Sequence, residues 1–340
     1  DENVHIGLLS FLIDLGFDPT YAHLNDTVWY YGGYALCNAG ENCHDNYLIW
    51  NALMHKRVAA YTDAAIYDVA KKYYPNVRMS DYGYFYWNYE FAVPDINSHD
   101  FMKYGQGAKI GTHQAQEFYA TLWQIANLGL PYFQPEPYNA FRYEVNKMRA
   151  MYLARPDIQI YPWFTQRSWS PGPGSFLIGN SDLYQELAFH IGLSGAQEFL
   201  YWNAIYWNTE GNNDEDDVVL SDTLKELDLM INYEGVEKQT LITNFTPWEK
   251  DYVYTGMELE TSQGNYKVWR FTPKLAEGET INDIIINFGN INREENVIFE
   301  VDGTQIVFPN AVIFEPENSV SSNMGAWVIQ LGNADEPYEL

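Results

Sequence analysis

The stretch Gln159-Ile-Tyr-Pro-Trp-Phe-Thr-Gln-Arg-Ser-Trp169 begins as a short apolar and aromatic run and ends in indole, hydroxyl, amide and guanidinium side chains. A second stretch, Gln197-Glu-Phe-Leu-Tyr-Trp-Asn203, has the same character. Each run predicts a strand, and a helical pattern precedes each one. A strand that turns polar at its carboxyl end is typical of a (β/α) barrel, whose active site lies at those ends.

The polar and aromatic ends of these two strands favour a carbohydrate ligand. Indole rings stack on the apolar faces of pyranose rings, and amide and guanidinium groups bind sugar hydroxyls. The expected substrate-binding residues here are Trp163, Gln166, Arg167, Tyr201, Trp202 and Asn203. The alternative is that the aromatic side chains belong only to the hydrophobic core.

Composition narrows the class of protein. The chain has 340 residues, 46% hydrophobic and 17% aromatic, so it is long enough for two domains and for a full core. Its 28 Tyr and 11 Trp indicate carbohydrate contact or a large aromatic interface. The net charge of −27 argues against nucleic acid and anionic membrane surfaces as partners. No apolar run is long enough to span a bilayer.

The two cysteines and two sequons predict an extracellular protein. Cys37 and Cys43 bracket a short, polar, Gly-containing loop, and this spacing predicts a disulfide. Asn25 and Asn244 each begin an Asn-x-Thr sequon, so we expect glycosylation there. Disulfides and glycans are typical of secreted chains. Because the chain begins at Asp1 and shows no signal peptide, we expect a mature or proteolytically released product.

The pattern before about residue 233 alternates between helices and short strands. The predicted helices cover 45–74, 115–129, 137–154, 181–194 and 219–232. The predicted strands cover 76–81, 108–113, 158–164 and 197–203. This alternation predicts parallel strands joined by right-handed crossovers.

The number of strands leaves two forms of the barrel open. Four parallel strands are clear, a run at 4–13 is a possible fifth, and a closed barrel has eight. We therefore expect residues 1–233 to form a (β/α) barrel or its C-terminal half. A half-barrel would leave an apolar strand edge unpaired. In that case we expect a second chain or an upstream segment to complete the barrel.

From about residue 236 onward the pattern changes. Seven or so short strand-like runs alternate with turn signals and carry no helical pattern. The run 296–309, with Asp302-Gly303 at its centre, predicts a hairpin. Residues 234–340 are therefore expected to form an antiparallel β-sandwich.

A (β/α) barrel followed by a β-sandwich is similar to the build of many secreted glycoside hydrolases. The region Pro135-Glu-Pro-Tyr-Asn-Ala-Phe-Arg-Tyr-Glu-Val-Asn146, followed by a strand carrying Tyr-Pro-Trp, resembles the late barrel of hyaluronidase-type enzymes. This resemblance implies a protein that acts on polysaccharide. The Asp-x-Glu strand motif that carries catalysis in hyaluronidases is absent from this chain.

A glycosidase needs two carboxyl groups that flank the scissile bond. Asp81 is the first candidate, because it ends a predicted strand and precedes an aromatic loop. Glu136 lies in a Pro-Glu-Pro loop before a helix, and Glu210 follows the aromatic loop after the strand at 197–203. The competing interpretation is structural, with Asp81 as a cap and Glu136 as a helix N-terminal charge.

Other polar residues suit supporting roles. His113 ends the strand predicted at 108–113 and suits a general acid, an orienting donor or a sugar ligand, or else a structural histidine. Arg167 suits a carboxylate or sulfate on an acidic sugar, or else a surface ion pair. We expect Asp81, His113, Trp163, Arg167 and Trp202 to share one cleft.

No cofactor or metal is expected. The acidic run 212–217 lacks the ligand periodicity of a calcium loop and predicts a solvated linker. No phosphate-binding loop, serine nucleophile elbow or nicotinamide fingerprint occurs in the sequence.

Two functions remain. The first is an extracellular glycoside hydrolase-like protein that acts on or binds oligosaccharide or polysaccharide. The alternative is a non-catalytic secreted glycoprotein that uses the barrel scaffold for sugar binding or assembly. The aromatic strand ends favour the first function, whereas the missing Asp-x-Glu motif and the small number of strands favour the alternative. Fold analogy alone does not decide between them.

Overall fold

The structure is a computed structural model. It describes residues 63–82, 113–115, 117–119, 138, 141–142, 144–145, 148, 159–165, 181–201, 213–242, 250–290, 295–317, 319–320 and 322–340. Within this part of the chain, helices and short parallel strands come first, and antiparallel strands follow from residue 236. The chain is therefore a mixed α and β protein. None of its described helices combines the length and the apolar character needed to cross a membrane.

The first described segment ends the long helix predicted at 45–74. A π-helical turn at Asp63–Tyr67 continues into helix α1 (Asp68–Tyr73). Tyr74 leaves the helical conformation, with φ −132° and ψ 84°. The reason is Pro75, which disfavours helical geometry in the residue before it.

Six short strands form the parallel part of the protein. They are β1 (Ser80–Tyr82), β2 (His113–Ala115), β3 (Glu117–Tyr119), β4 (Gln159–Ile160), β5 (Trp163–Thr165) and β6 (Leu200–Tyr201). All their pairings are parallel: β1 with β2, β2 with β4, β3 with β5, and β5 with β6. The four chain segments that carry them thus lie side by side in sequence order. The prediction that these segments form parallel strands is confirmed.

The second of these segments differs from its predicted boundaries. Strand pairing extends through β3, so His113 does not end the strand, and the helix predicted at 115–129 is wrong for residue 115 and for 117–119. Phe118 and Tyr119 are good strand formers, and they pair with Phe164 and Thr165 of β5. Long-range pairing therefore overrides the local helical pattern. No closed eight-stranded barrel is seen within the described ranges.

Helix α2 (Ser181–Leu193) confirms the helix predicted at 181–194. Every residue from 183 to 194 is buried. Leu187 and Ile191 share a core with Ile160 and Phe164 of the parallel strands. The same core receives Tyr138, Phe141, Val145 and Met148, which are helical as predicted for 137–154.

Helix α3 (Asn213–Ile231) begins earlier than the helix predicted at 219–232. The acidic run 212–217, predicted as a linker, forms the first turns of this helix from residue 213 onward. The first turn of a helix lies at the positive end of its dipole, so acidic residues are favourable at these positions.

Nine described strands follow α3: β7 (Val236–Leu241), β8 (Tyr252–Thr261), β9 (Gly264–Pro273), β10 (Ile285–Asn287), β11 (Val297–Val301), β12 (Thr304–Phe308), β13 (Ala311–Phe314), β14 (Ala326–Leu331) and β15 (Tyr338–Glu339). They form two antiparallel sheets, in the orders β13-β14-β9-β8-β7 and β10-β11-β12-β15. The predicted hairpin is confirmed, with positive φ at Asp302 (49°) and Gly303 (76°), as a tight two-residue turn requires.

The two sheets share an aromatic core. Phe271 of the five-stranded sheet stacks on Phe299 of the four-stranded sheet, with ring centroids 4.1 Å apart. Phe308 meets both rings edge-on. The opposite face of the five-stranded sheet is covered by α2 and α3, where Phe189 packs against Trp327 at 4.9 Å. Strands β8, β9 and β14 of this sheet are therefore largely buried, whereas the edge strand β7 is mostly exposed.

Two hydrogen bonds to the Glu339 carboxylate hold the short strand β15 in place. Glu339 Oε2 accepts a hydrogen bond from Lys250 Nζ at 2.8 Å, and Oε1 accepts one from the Tyr252 hydroxyl. These bonds from Lys250 and Tyr252 lower the pKa of Glu339 below its ordinary value. Burial, together with Glu339, raises the pKa of Tyr252, so its hydroxyl remains a donor at neutral pH.

We expect the contribution of Glu339 to stability to depend on pH. Its pKa is lower in the folded state, so its contribution is complete above the unfolded value of about 4.3 and is lost as the pH falls through the folded value. The urea midpoint of wild type should therefore exceed that of Glu339→Gln by the largest amount at pH 7. This difference should shrink below about pH 4. A difference that stays constant from pH 7 to pH 3 would contradict this role.

Candidate functional site

The parallel strands place the predicted residues Asp81 and His113 on neighbouring strands. Asp81 is the middle residue of β1 and pairs with Gln114, while His113 begins β2 and pairs with Ser80. The two backbones are therefore offset by a single residue along adjacent strands. Because successive residues of a strand alternate between the two faces of the sheet, this offset assigns Asp81 and His113 to opposite faces.

Trp163 and Tyr201 form a second pair of neighbours. Trp163 is the first residue of β5 and pairs with Leu200, the residue before Tyr201. Trp163 is half-buried. Asp81 pairs with Gln114, and Gln114 pairs with Ile160, so these three residues lie at the same level of the sheet. Trp163 lies three residues beyond Ile160, which is roughly 10 Å at ~3.3 Å per residue. The four residues thus lie on neighbouring strands at two levels, and at each level the two residues are offset by one position, which assigns them to opposite faces of the sheet.

The remaining predicted residues lie outside the described part of the chain. They are the carboxylates Glu136 and Glu210, the sugar-binding residues Gln166, Arg167, Trp202 and Asn203, the cysteines Cys37 and Cys43, and the sequon residues Asn25 and Asn244. Their roles stay predictions.

A buried polar cluster at the junction of α2 and the five-stranded sheet was not predicted. Glu186 of α2 and Arg270 of β9 form an ion pair in which both side chains are 0% exposed. Arg270 Nε donates to Glu186 Oε2 at 2.8 Å, and Nη2 donates to Oε1. The hydroxyls of Thr272 and Ser322 donate to the same carboxylate at 2.6 and 2.5 Å. Such a carboxylate is fully satisfied despite its burial.

His190 extends this cluster by two further hydrogen bonds. Its Nδ1 lies 2.7 Å from Thr255 Oγ1, and its Nε2 lies 2.8 Å from Thr272 Oγ1. Because the Thr272 hydroxyl donates its proton to Glu186, it accepts from His190, which assigns the proton of a neutral ring to Nε2. The Thr255 hydroxyl then donates to Nδ1. The hydrogen bonds run in one direction, from Thr255 through His190 and Thr272 to Glu186.

A second buried carboxylate, Glu226 of α3, holds the connection between β13 and β14. It accepts hydrogen bonds from Val320 N at 2.7 Å, Ser319 Oγ at 3.1 Å and Trp327 Nε1 at 2.7 Å. Since Ser322 of the same connection donates to Glu186, two helices each anchor this connection through a buried glutamate.

The anchored connection closes one side of a cavity of about 210 Å³, which we call the polar cavity. The short 3₁₀ turn Ile281–Asp283 and the start of β10 also line it, and Ile281 N donates to Asn323 O of the connection at 2.7 Å. The polar residues that line it are Arg270, Asn282, Glu315, Ser319, Ser322 and Asn323. Apolar side chains, among them Ile285, Ile313 and Phe314, supply the other walls.

Gly325 permits this arrangement. A Cβ atom at this position would lie 2.4 Å from Glu186 Oε2 and 2.8 Å from Thr272 Oγ1. Both distances are far shorter than ordinary contacts, so a side chain here would displace the carboxylate from its donors. The glycine therefore lets β14 begin directly against the buried ion pair.

A second depression, of about 530 Å³, has a different character. It lies beside the end of α3, and its walls are Leu229, Met230, Tyr233, Tyr266, Phe314, Pro316, Glu317, Ile329 and Leu331. The rings of Tyr233 and Tyr266 stack at 6.2 Å. With a single charged side chain among these walls, this groove is largely apolar and offers few partners for sugar hydroxyls.

One sequence signal for the buried cluster exists. Glu186 and His190 are four residues apart in a helix that is otherwise mostly apolar, so they share one helix face. Arg270 likewise interrupts an apolar strand. Buried charges require partners, so an isolated Glu and an isolated Arg in two buried elements predict an ion pair.

Among the described residues, no group of three or more His, Cys, Asp or Glu side chains is placed to hold a metal ion. Comparisons with protein family models, with curated proteins and with solved structures find no match to this chain. The function is therefore inferred from the chain's own residues.

Proposed function

We propose that this chain is an extracellular glycoside hydrolase-like protein that acts on or binds polysaccharide. The observation that carries the proposal is the set of four parallel segments lying in sequence order. In a (β/α) barrel each strand lies beside the next one along the chain, so this order favours the barrel connectivity.

The finer architecture belongs to the same proposal. Residues 1–233 form a (β/α) barrel or its C-terminal half, and residues 234–340 form a β-sandwich. Two antiparallel sheets with a common aromatic core support the sandwich. In the half-barrel form, a second chain or an upstream segment pairs with the free edge strand, and native mass spectrometry of the complex tests this.

Roles follow from the chemistry of glycoside cleavage. Asp81 serves as one carboxyl group, and Glu136 or Glu210 supplies the other. His113 orients a substrate hydroxyl or assists proton transfer, a role that rests on the sequence alone because the register assigns His113 and Asp81 to opposite faces. Trp163 or Tyr201, which the register assigns to opposite faces, supplies aromatic surface for a sugar ring at the next level along the strands.

The alternative function is non-catalytic sugar binding or assembly by a secreted glycoprotein. The absence of the Asp-x-Glu motif favours it. Under either function we expect a disulfide between Cys37 and Cys43 and glycan on Asn25 or Asn244. Intact mass before and after reduction and deglycosylation tests both modifications.

We expect wild type to release reducing ends from at least one polysaccharide, and Asp81→Asn to lower kcat by about 10²–10⁴-fold, the range for loss of an acid–base group. The amide keeps the size of the side chain and removes its proton chemistry. Reducing-end assays on neutral and acidic polysaccharides measure the rate, and affinity electrophoresis measures binding.

The matched control is Asp68→Asn, which removes an exposed carboxylate on α1 and should leave the rate unchanged. Polysaccharide binding without cleavage by wild type would select the non-catalytic alternative. Neither binding nor cleavage on any polysaccharide of the panel would refute the proposed function.

A further inference from the structure

The size of the polar cavity restricts what it can hold. Pockets for drug-sized ligands are about 300–1,000 Å³, and this cavity measures about 210 Å³. At ~30 Å³ per water molecule, it holds about seven waters or one small cyclic ligand. A single ring, or the terminal unit of a longer chain, matches this volume.

The lining combines hydrogen-bonding groups with apolar surface. Asn282 and Asn323 lie at the exposed edge, and each amide both donates and accepts. Ser322 lies deeper and is buried. Ile285 and Ile313 supply apolar wall. Amides beside apolar wall suit a ligand that carries several hydroxyls around an apolar ring face.

The charges of the lining select against acidic ligands. The charge of Arg270 is balanced by Glu186 through two hydrogen bonds. Glu315 therefore makes the net charge of the lining negative, and the whole chain carries a net charge of −27. A carboxylate or sulfate on the ligand would be repelled.

The cavity is also held in a fixed shape. Glu226 and Glu186 together bind Ser319, Val320 and Ser322, so the connection that forms one wall is anchored on both sides. A wall fixed before the ligand arrives loses little conformational entropy on binding.

From these observations we propose that the polar cavity is a second sugar-binding site, separate from the parallel strands, and that it takes one neutral sugar unit. The choice of a sugar among small polar ligands rests on the function proposed above. The site gives the protein a second point of binding to a polysaccharide whose backbone or branch ends in a neutral sugar.

Titration of the full chain with D-glucose, D-galactose, D-mannose and D-glucuronic acid, followed by calorimetry and saturation-transfer NMR, tests the proposal. At least one neutral sugar should bind with a millimolar Kd. The double variant Asn282→Ala/Asn323→Ala should weaken that binding about tenfold or more, which corresponds to one or two lost hydrogen bonds. Glucuronic acid should bind at least tenfold more weakly than the neutral sugar. Glu315→Gln should reduce this difference in affinity.

The matched control is Asn265→Ala, at the start of β9, whose amide donates to Glu258 and does not line the cavity. It should leave sugar binding unchanged. Binding of no neutral sugar, equal binding of glucuronic acid, or unchanged binding by the double variant would each overturn the second site.

The outcomes for the two sites are distinguishable. Asp81→Asn should retain monosaccharide binding, because Asp81 lies on β1 and takes no part in the cavity lining. Loss of monosaccharide binding in the double variant, but not in Asp81→Asn, supports the second site. Reducing-end release by a wild type that binds no monosaccharide refutes the second site alone.

Discussion

Replacing Glu186 by Gln is expected to lower the free energy of unfolding by about 3–5 kcal/mol, because removing one partner leaves a buried charge uncompensated. Glu186 and Arg270 are both fully buried. The carboxylate accepts from Arg270, Thr272 and Ser322, and a carboxamide offers only one oxygen to these donors. Its NH₂ group would point a donor at another donor. Chemical unfolding in urea measures the change.

Two comparisons identify burial as the cause. Asp222→Asn removes an exposed partner of Lys225, with N···O 2.7 Å, and should change stability by less than about 1 kcal/mol. The double replacement Glu186→Leu/Arg270→Met leaves no unpaired charge, so we expect it to be more stable than Glu186→Gln. A Glu186→Gln protein within about 1 kcal/mol of wild type would contradict this explanation, because it would show that the Arg270 charge does not stay buried without its partner.

The elements that could be predicted from sequence are those set by local chemistry. Asp302-Gly303 fixes a hairpin because both residues adopt positive φ, and Pro75 fixes a helix end. Helix α2 follows from 13 mostly apolar residues with Asp182 in the first turn. In each case the deciding residues lie within a few positions of one another.

The elements that could not be predicted depend on distant partners. Residues 117–119 form a strand because they pair with 163–165, more than 40 positions away. Strand β13 is only four residues long and is stabilised by pairing with β14, across a connection anchored by Glu226. The local sequence pattern does not predict these contacts.

The candidate sites show the same division. Sequence places Asp81, His113, Trp163 and Tyr201 on parallel strands. The register then offsets Asp81 from His113, and Trp163 from Tyr201, by one residue, which assigns them to opposite faces. The polar cavity is assembled from β9, the turn before β10, the end of β13 and the connection to β14. No single segment contains enough of it to form a motif.

The aromatic core between the two sheets gives the second large effect. Phe271→Ala is expected to lower the free energy of unfolding by about 3–5 kcal/mol, the range for a buried aromatic truncated to alanine. Phe271 is fully buried. It stacks on Tyr252 in its own sheet at 5.9 Å and on Phe299 in the facing sheet at 4.1 Å. Its removal therefore leaves a cavity at the centre of the contact between the sheets.

The matched control is Phe288→Ala, because Phe288 is an aromatic residue of the same type that is 55% exposed. It should change stability by no more than about 0.5 kcal/mol, as is usual for surface positions. Phe271→Leu fills part of the cavity, so its loss should lie between those of the other two variants. If Phe271→Ala and Phe288→Ala destabilised equally, the two sheets would not be held together through this ring. Equal losses for Phe271→Ala and Phe271→Leu would instead point to the ring stacking, rather than the filled volume, as the source of its contribution.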